Sequence, residues 1–184
     1  MYIKEIIALI EEYAPLKFQA SFDNSGLLCG DPERELTSVL LCIDITEEVV
    51  NEAIIHGHDL IISHHPLIFS GLKHITPATY VERCVISAIK HDITIYAAHT
   101  NMDVVANGVS GRMADKLHLH NRQILQPEGD LSEGNGFGII GELETPVESM
   151  AFLRQVKATF HCDRLRYTRP HTPSIRKVAV CGGA

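Results

Sequence analysis

The chain has 184 residues, of which 45% are hydrophobic and 21% charged, and its formal net charge at pH 7 is −7. These proportions are typical of a globular protein and exclude a collagen-like repeat, a coiled coil and a disordered chain. The negative charge argues against nucleic-acid binding, because phosphate groups attract cationic surfaces. No apolar run approaches the roughly 20 residues of a membrane span, and the acidic residues within the apolar N-terminal stretch are atypical of a signal peptide. We therefore expect a cytoplasmic protein with neither a membrane nor a nucleic acid as partner.

Predicted helices and strands alternate along the chain. In order they are a helix at 2–13, a strand at Ser38–Asp44, a helix at Thr46–His56, a strand at Asp59–Ser63, a helix at Pro77–Lys90, a strand at Ile93–Ala98, a helix at Val104–Leu117, a strand at Phe137–Leu143, a helix at Pro146–Phe160, and strands at Leu165–Thr168 and Lys177–Cys181. The strands within 38–98 are continuously apolar, which indicates a parallel sheet covered on both faces. The sequence thus predicts an α/β fold with a mostly parallel sheet flanked by helices. We expect one unit over 1–184, with sub-lobes at 1–125 and 126–184.

Cysteine and histidine usage bears on the kind of site to expect. The 5 cysteines are scattered without a C-x-x-C pair, which argues against both a disulfide framework and a thiolate zinc site. The 11 histidines are numerous enough to direct attention to metal or acid–base chemistry, although scattered surface histidines would give the same count.

Basic residues concentrate near the end of the chain. Residues 151–184 hold seven of the 16 Lys and Arg residues but only Asp163 among the 23 acids. One interpretation is a helix and two strands with solvated basic faces. The other is a subunit contact or an attraction for phosphorylated ligands, since a concentrated cationic surface steers anions. Charge alone leaves both open.

Polar side chains follow the three predicted parallel strands at their carboxyl ends. Asp44 ends the first run, His64 and His65 follow the second, and His99 and Asp103 follow the third. Because the carboxyl ends of parallel strands meet at one edge of a sheet, we expect these side chains to converge. Imidazole nitrogen and carboxylate oxygen together suit Zn²⁺, Mn²⁺, Fe²⁺ or Co²⁺. The sequence therefore predicts a divalent-metal site at this edge.

The adjacent pair His64 and His65 needs a local explanation. Neighbouring residues of a regular strand point to opposite faces, but this constraint lapses at the strand end, and Pro66 keeps the chain extended there. Each imidazole could then take a different metal ion, with Asp103 bridging two ions roughly 3.5–4 Å apart in a hydrolytic centre. The alternative is a loop on which one histidine caps backbone groups and the other is exposed. The turn Asp23-Asn24-Ser25-Gly26 could be part of the site, but it could equally be a structural Asx turn.

Several segments carry a family resemblance, and they occur in the order Asp23-Asn24-Ser25-Gly26-Leu27, Cys42-Ile43-Asp44-Ile45-Thr46, Ile62-Ser63-His64-His65-Pro66-Leu67-Ile68-Phe69, Ala98-His99-Thr100-Asn101-Met102-Asp103 and Val178-Ala179-Val180-Cys181-Gly182-Gly183-Ala184. The chain resembles the NIF-three-like dinuclear metal-centre proteins, commonly labelled GTP cyclohydrolase 1 type 2 homologs. The resemblance implies an α/β fold, two divalent metal ions, a homohexamer, and His64, His65 and Asp103 as metal ligands. Phe22 and Ser25 differ from the tryptophan and valine of many relatives.

The resemblance also bears on the end of the chain. Members of this family draw further ligands from a histidine and a glutamate in a G-H…E segment, which this sequence lacks. The chain ends where a strand enters a glycine turn, so we expect a fragment whose last β-α unit is truncated and whose remaining ligands lie beyond Ala184. Such a fragment is expected to bind at most one ion, and weakly, because ligand number controls affinity.

Two classes of function are consistent with these observations. The first is a metal-dependent hydrolase acting on a nucleotide or another phosphate- or ring-containing small molecule, in which His99 or Asp44 moves a proton or orients a ligand. The second is a non-catalytic metal-binding chaperone or scaffold protein, since metal ligands alone do not reveal turnover.

Overall fold

The structure is a computed structural model that describes residues 1–127 and 135–182. The chain divides into two compact units, Met1–Met102 and Asp103–Ala184, which are described separately below. Within the described ranges no helix combines the length and the apolar character needed to cross a membrane. The prediction of one unit with sub-lobes at 1–125 and 126–184 stays a prediction.

The first unit is built on a four-stranded sheet in the order β1-β4-β3-β2. Its strands are β1 (Gly26–Cys29), β2 (Val39–Cys42), β3 (Leu60–Ser63) and β4 (Thr94–Ala97). β2, β3 and β4 are parallel in exact register, with Leu60 opposite both Val39 and Thr94, whereas β1 pairs antiparallel with β4. The three parallel strands and the α/β class predicted from the sequence are confirmed. β1 was not predicted, because it is a four-residue edge strand that begins with a glycine inside a turn-rich segment.

Helices cover both faces of this sheet. On one face, α1 (Ile3–Tyr13) packs on Leu60 and Tyr96; on the other, α2 (Glu47–His56) and α3 (Tyr80–Lys90) pack on Ile61 and Ile95. All four of these sheet residues are completely buried. This two-sided burial explains why the strands read as continuous apolar runs rather than alternating ones.

Capping side chains fix where the helices begin. Thr46 accepts a hydrogen bond from the Val49 amide before α2, and Gly57 ends that helix in a left-handed conformation at φ 68°. Before α3, Thr79 and Glu82 form a capping box, in which each side chain accepts a hydrogen bond from the other residue's amide. The predicted start of this helix at Pro77 was therefore too early, and α3 begins at Tyr80.

The second unit contains an antiparallel sheet in the order β5-β6-β7. Its elements are β5 (His120–Pro127), β6 (Gly136–Glu148), β7 (Ser174–Val180), α5 (Val109–Lys116) and α6 (Ser149–Thr159), and the short α4 (Thr100–Val104) crosses the boundary between the units. Helices and sheet share a core that includes Ala114, Leu143, Phe152 and Val178.

Several predictions for the second unit need correction. The helix predicted at Val104–Leu117 is α5 alone, and β5 was missed because five of its eight residues are polar and all but Ile124 are exposed. The helix predicted at Pro146 begins at Ser149, because the Glu148 carboxylate accepts hydrogen bonds from the amides of Met150 and Ala151 and so caps the helix there. The segment Leu165–Thr168 lies outside any strand, and the last two residues of the predicted glycine turn lie outside the described residues.

Candidate metal centre

Three histidines meet at the carboxyl edge of the parallel sheet in the first unit. His64 and His65 directly follow β3, and His99 follows β4, the neighbouring parallel strand. One potential ligand atom from each side chain lies within 4.8 Å of the other two. The ring centroids are 4.9 Å apart for His64 and His65, 5.2 Å for His64 and His99, and 5.4 Å for His65 and His99. The predicted convergence of histidines from separate strands is therefore present, and we call these three residues the histidine cluster.

The backbone after β3 explains how two adjacent histidines reach the same cluster. The His64 amide donates to the carbonyl of Cys42, the last residue of β2, at 3.2 Å, and the His65 amide donates to the carbonyl of Ile43, the next residue, at 2.9 Å. The Ser63 hydroxyl donates to the His65 carbonyl at 2.8 Å and closes a tight bend. The chain thus leaves the pleat of the strand, so that the two rings no longer point to opposite faces.

An oxygen acceptor lies at the Nδ1 atom of each ring. Nδ1 of His64 is 2.9 Å from the Ala98 carbonyl, Nδ1 of His65 is 2.7 Å from Oδ1 of Asp44, and Nδ1 of His99 is 2.8 Å from Oδ1 of Asp23. A carbonyl or an ionised carboxylate can only accept, so Nδ1 carries the hydrogen in each case. Nε2 is then the nitrogen with the lone pair, and in this tautomer a histidine binds a metal ion through Nε2.

Asp23 is the residue that the sequence analysis missed as part of this site. Its side chain is fully buried and receives hydrogen bonds from His99, from the amide and hydroxyl of Thr100, and from the Ser25 hydroxyl. Burial by itself would raise the pKa of Asp23, but these hydrogen bonds and that of the Asn24 amide outweigh it and hold the pKa well below its usual range. Asp23 is therefore an anion at neutral pH, and its contact with Nδ1 orients His99.

The turn at Asp23 makes both a local contact and a long-range contact. The bond from the Asn24 amide to the Asp23 carboxylate is local, but the Ser25 amide, which an Asx turn would direct to Asp23, donates to Oε1 of Gln19. The bond from His99 to Asp23 spans 76 positions of the chain. Only the local part of this arrangement has a sequence signature. In the sequence, a role of Asp23 in the site is indicated only by the motif Asp23-Asn24-Ser25-Gly26, which is part of the family resemblance.

Asp44 and Asp103 lie in different surroundings. Asp44 follows β2 and is exposed, with 66% of its side-chain surface accessible, and its contact with His65 places it where it would orient that ring. Asp103 lies in α4, is buried, and follows His99 by about one helical turn. Among the described residues, the group that meets the distance condition for a metal site consists of the three histidines. The predicted roles of Asp103 as a metal ligand, and of Asp44 and His99 as catalytic residues, stay predictions.

The donor chemistry of the histidine cluster fits a divalent cation. Neutral imidazoles bind Zn²⁺, Fe²⁺ and Co²⁺, and the Zn–N distance is about 2.0–2.1 Å. Three imidazole ligands leave coordination positions on the metal for water or substrate. Each ring is half-buried, and each is held by a carbonyl or carboxylate that would keep it in place before a metal arrives. The cluster could therefore hold a metal ion.

Comparison with known proteins identifies the family. A family model described as DUF34/NIF3 (NGG1p interacting factor 3) matches residues 1–184. The chain belongs to the DUF34/NIF3 family. A similar curated relative, the GTP cyclohydrolase 1 type 2 homolog of Clostridium perfringens, is 36% identical over 184 residues, which cover 100% of this chain and 70% of the relative. The resemblance stated from the sequence motifs is thus confirmed.

Solved structures of the DUF34/NIF3 type support the fold. A Bacillus cereus protein related to NIF3 superposes with a TM-score of 0.90 at 25% identity, covering 100% of this chain and 77% of that one. The Staphylococcus aureus hypothetical protein SA1388 superposes with a TM-score of 0.88 at 29% identity, covering 100% of this chain and 72% of that one. The α/β architecture around the histidine cluster is therefore that of the DUF34/NIF3 family.

Proposed function

We propose that this DUF34/NIF3 chain binds divalent metal ions at the histidine cluster and acts as a metal-dependent hydrolase on a nucleotide or a related small molecule. The observation that carries the proposal is the oxygen acceptor at Nδ1 of each of His64, His65 and His99, from which their common tautomer follows. Structural histidines can satisfy the same bonds singly, but three of them with converging ligand atoms are typical of a metal site. The label GTP cyclohydrolase 1 type 2 homolog on relatives supports a nucleotide substrate.

In this proposal the residues of the site have separate roles in metal binding, ring orientation and proton exchange. His64, His65 and His99 would hold the cation, while Asp44 and Asp23 would keep the hydrogen on Nδ1 and prevent two of the rings from turning. A bound divalent cation supplies hydrolytic chemistry by lowering the pKa of water and polarising the substrate. Asp44 is exposed and next to His65, so it is also placed to exchange protons with solvent.

Three wider expectations belong to the proposal. The second metal ion and the ligand role of Asp103 rest on the residues at the strand ends and on the family resemblance, and the homohexamer rests on the resemblance alone. We include them in the proposal because the sequence motifs that carry them match the family over the whole chain.

The first experiment measures metal content and turnover of the purified chain. We expect elemental analysis to find a transition metal, and His65→Ala to lower its affinity by about 100-fold, since even residues that only orient metal ligands account for about 10–100-fold. Turnover of GTP and of a panel of nucleotides and phosphoesters should fall with the metal content. A metal-loaded chain that leaves the whole panel unchanged would contradict the hydrolase.

A second candidate function is a metal chaperone or scaffold protein, and the exposure of the site favours it. The side chain of His65 is 44% accessible and that of its partner Asp44 is 66% accessible, so a bound ion would be open to exchange on one side. Transfer of the metal to an acceptor chelator within seconds, without turnover of any substrate, is the result expected for the chaperone. Slow exchange with turnover is the result expected for the hydrolase.

A further inference from the structure

Two exposed phenylalanine rings lie in contact in the same unit as the histidine cluster. Phe22 is 68% exposed and Phe69 is 50% exposed, and their ring centroids are 6.4 Å apart with planes tilted by 45°. Single exposed apolar residues are common. Two aromatic rings in contact form a continuous apolar surface, however, and exposure of that surface to water is unfavourable unless a ligand or partner covers it. We call this surface the aromatic pair.

Both rings of the aromatic pair stand on segments that also carry the site. Phe22 directly precedes Asp23, whose carboxylate holds His99 at 2.8 Å, and Phe69 follows His65 by four positions. The Asn24 side chain donates to the Ile68 carbonyl at 2.6 Å and so ties one segment to the other. The aromatic pair is therefore fixed to the same two segments that orient the histidines.

The chain connections limit how far the aromatic pair can lie from the histidine cluster. Adjacent Cα atoms are about 3.8 Å apart, so Phe22 is one such step from the carboxylate residue that contacts His99. Four residues span at most about 14 Å when fully extended, which bounds the separation of Phe69 from His65. These are upper limits on the backbone separations, and within them one ligand of about the length of a mononucleotide could contact both the aromatic pair and the histidine cluster.

We propose that Phe22 and Phe69 form a stacking surface for the planar ring of a small ligand whose anionic or polar end reaches the histidine cluster. This inference rests on the proposed function, because it takes the histidine cluster as the binding site for that end. Phenylalanine has no hydrogen-bonding group, so the surface selects planarity and aromatic character and not one donor–acceptor pattern. The ligand class is thus a nucleobase or a similar heteroaromatic ring carrying a phosphate or another metal-binding group.

The test compares two probes, of which one carries a nucleobase and the other does not. Guanosine 5′-monophosphate and ribose 5-phosphate are titrated into the Mn²⁺-loaded chain by calorimetry. Because stacking of one base on an aromatic side chain accounts for about tenfold or more in affinity, we expect the ring-bearing probe to bind about tenfold more tightly. In the double variant Phe22→Ala/Phe69→Ala this preference should fall to within about twofold, while ribose 5-phosphate binds as before.

Matched variants separate stacking from general loss of apolar surface. Phe22→Leu/Phe69→Leu keeps apolar bulk without an aromatic face and should also lose the preference. Leu9→Ala removes a side chain of similar exposure from α1 and should keep it. An unchanged preference in the double variants, or equal binding of the two probes to the parent chain, would overturn the inference.

Two further measurements keep the inference distinct from the proposed function. Elemental analysis is made on every variant: a parent chain without metal contradicts the proposed function, whereas metal-loaded variants that lose only the ring preference support the inference. Sedimentation of the parent chain and the Phe22→Ala/Phe69→Ala variant is compared as well. Loss of self-association together with unchanged nucleotide binding would mean that a second copy covers the aromatic pair, and would overturn the ligand assignment.

Discussion

The two compact units differ in how completely their strands are covered. In the first unit every residue of β4 is buried, because helices pack on both faces of the parallel sheet. In the second unit β5 is exposed at every position except Ile124, which is half-buried. A strand covered on both faces is apolar at most positions, so it leaves a clear sequence signal and a rigid edge. The histidine cluster stands on such an edge, whereas the exposed strand has neither property.

The largest expected effect is on the free energy of unfolding, and it compares one substitution in a strand of each unit. Ile61→Ala in β3 removes a completely buried side chain from between the sheet and α2 and α3. We expect it to lower the free energy of unfolding by about 2–5 kcal/mol, because the lost burial is accompanied by a cavity. Leu125→Ala in β5 removes a side chain that is 45% exposed and should cost less than about 1 kcal/mol. Urea denaturation of the two variants measures both values, and similar losses would show that the units do not differ in this respect.

The same difference in coverage explains what the sequence predicted of the fold. The runs that became β2, β3 and β4 were predicted because continuous apolar residues of strand length have few alternatives. β1 and β5 were missed because a short edge strand with a glycine and an exposed strand with mainly polar residues both resemble loops. Helix starts were misplaced where a side chain caps the amides, as Glu148 does for α6, since capping depends on which backbone conformation precedes the helix.

The site was predictable to the extent that it follows from strand order. Parallel neighbours bring their carboxyl ends together, so His64, His65 and His99 were expected to converge, and they do. The contact between Asp44 and His65 follows from the same rule applied to β2. The contact between Asp23 and His99 does not, because it depends on the packing of a turn against the start of α4, and pairing rules for strands say nothing about turns.

A second prediction tests whether metal affinity depends on the carboxylates of the first unit that contact the histidine cluster. Asp23→Asn removes the anion that holds His99, and it should lower metal affinity by about 10–100-fold, as loss of a residue that orients a metal ligand typically does. Asp44→Asn should have a smaller effect, because the exposed Asp44 can be replaced by water as the acceptor for His65. Competition with a chromophoric chelator measures both affinities.

The control for this prediction lies in the second unit. Glu142→Gln changes a partly buried carboxylate in β6 that pairs with Arg176 at 3.5 Å, and it should leave metal affinity unchanged. Circular dichroism of all three variants checks that the fold is retained. If Glu142→Gln weakened metal binding as much as Asp23→Asn, metal affinity would depend on general stability or charge and not on the orientation of His99.

The smallest expected effect compares a neutral and a charged helix cap, one in each unit. Thr46 caps α2 with a hydroxyl, and Thr46→Ala should cost about 1 kcal/mol of unfolding free energy. Glu148 caps α6 with a carboxylate, and hydrogen bonds from the Met150 and Ala151 amides lower its pKa. A carboxyl whose pKa is lower in the folded state contributes stability above its unfolded pKa of about 4.3, and the contribution is lost as the pH falls through the folded value.

The two caps should therefore respond differently to acid. We expect Glu148→Gln to be less stable than the parent chain at pH 7 and to approach it near pH 3, whereas the deficit of Thr46→Ala should persist at both values because a hydroxyl does not titrate. Denaturation midpoints at the two pH values provide the measurement. A Glu148→Gln deficit that is the same at pH 3 and pH 7 would mean that shape and hydrogen bonding, and not the charge of the carboxylate, stabilise the start of α6. The charged cap would then be equivalent to the neutral one, and this distinction between the units would disappear.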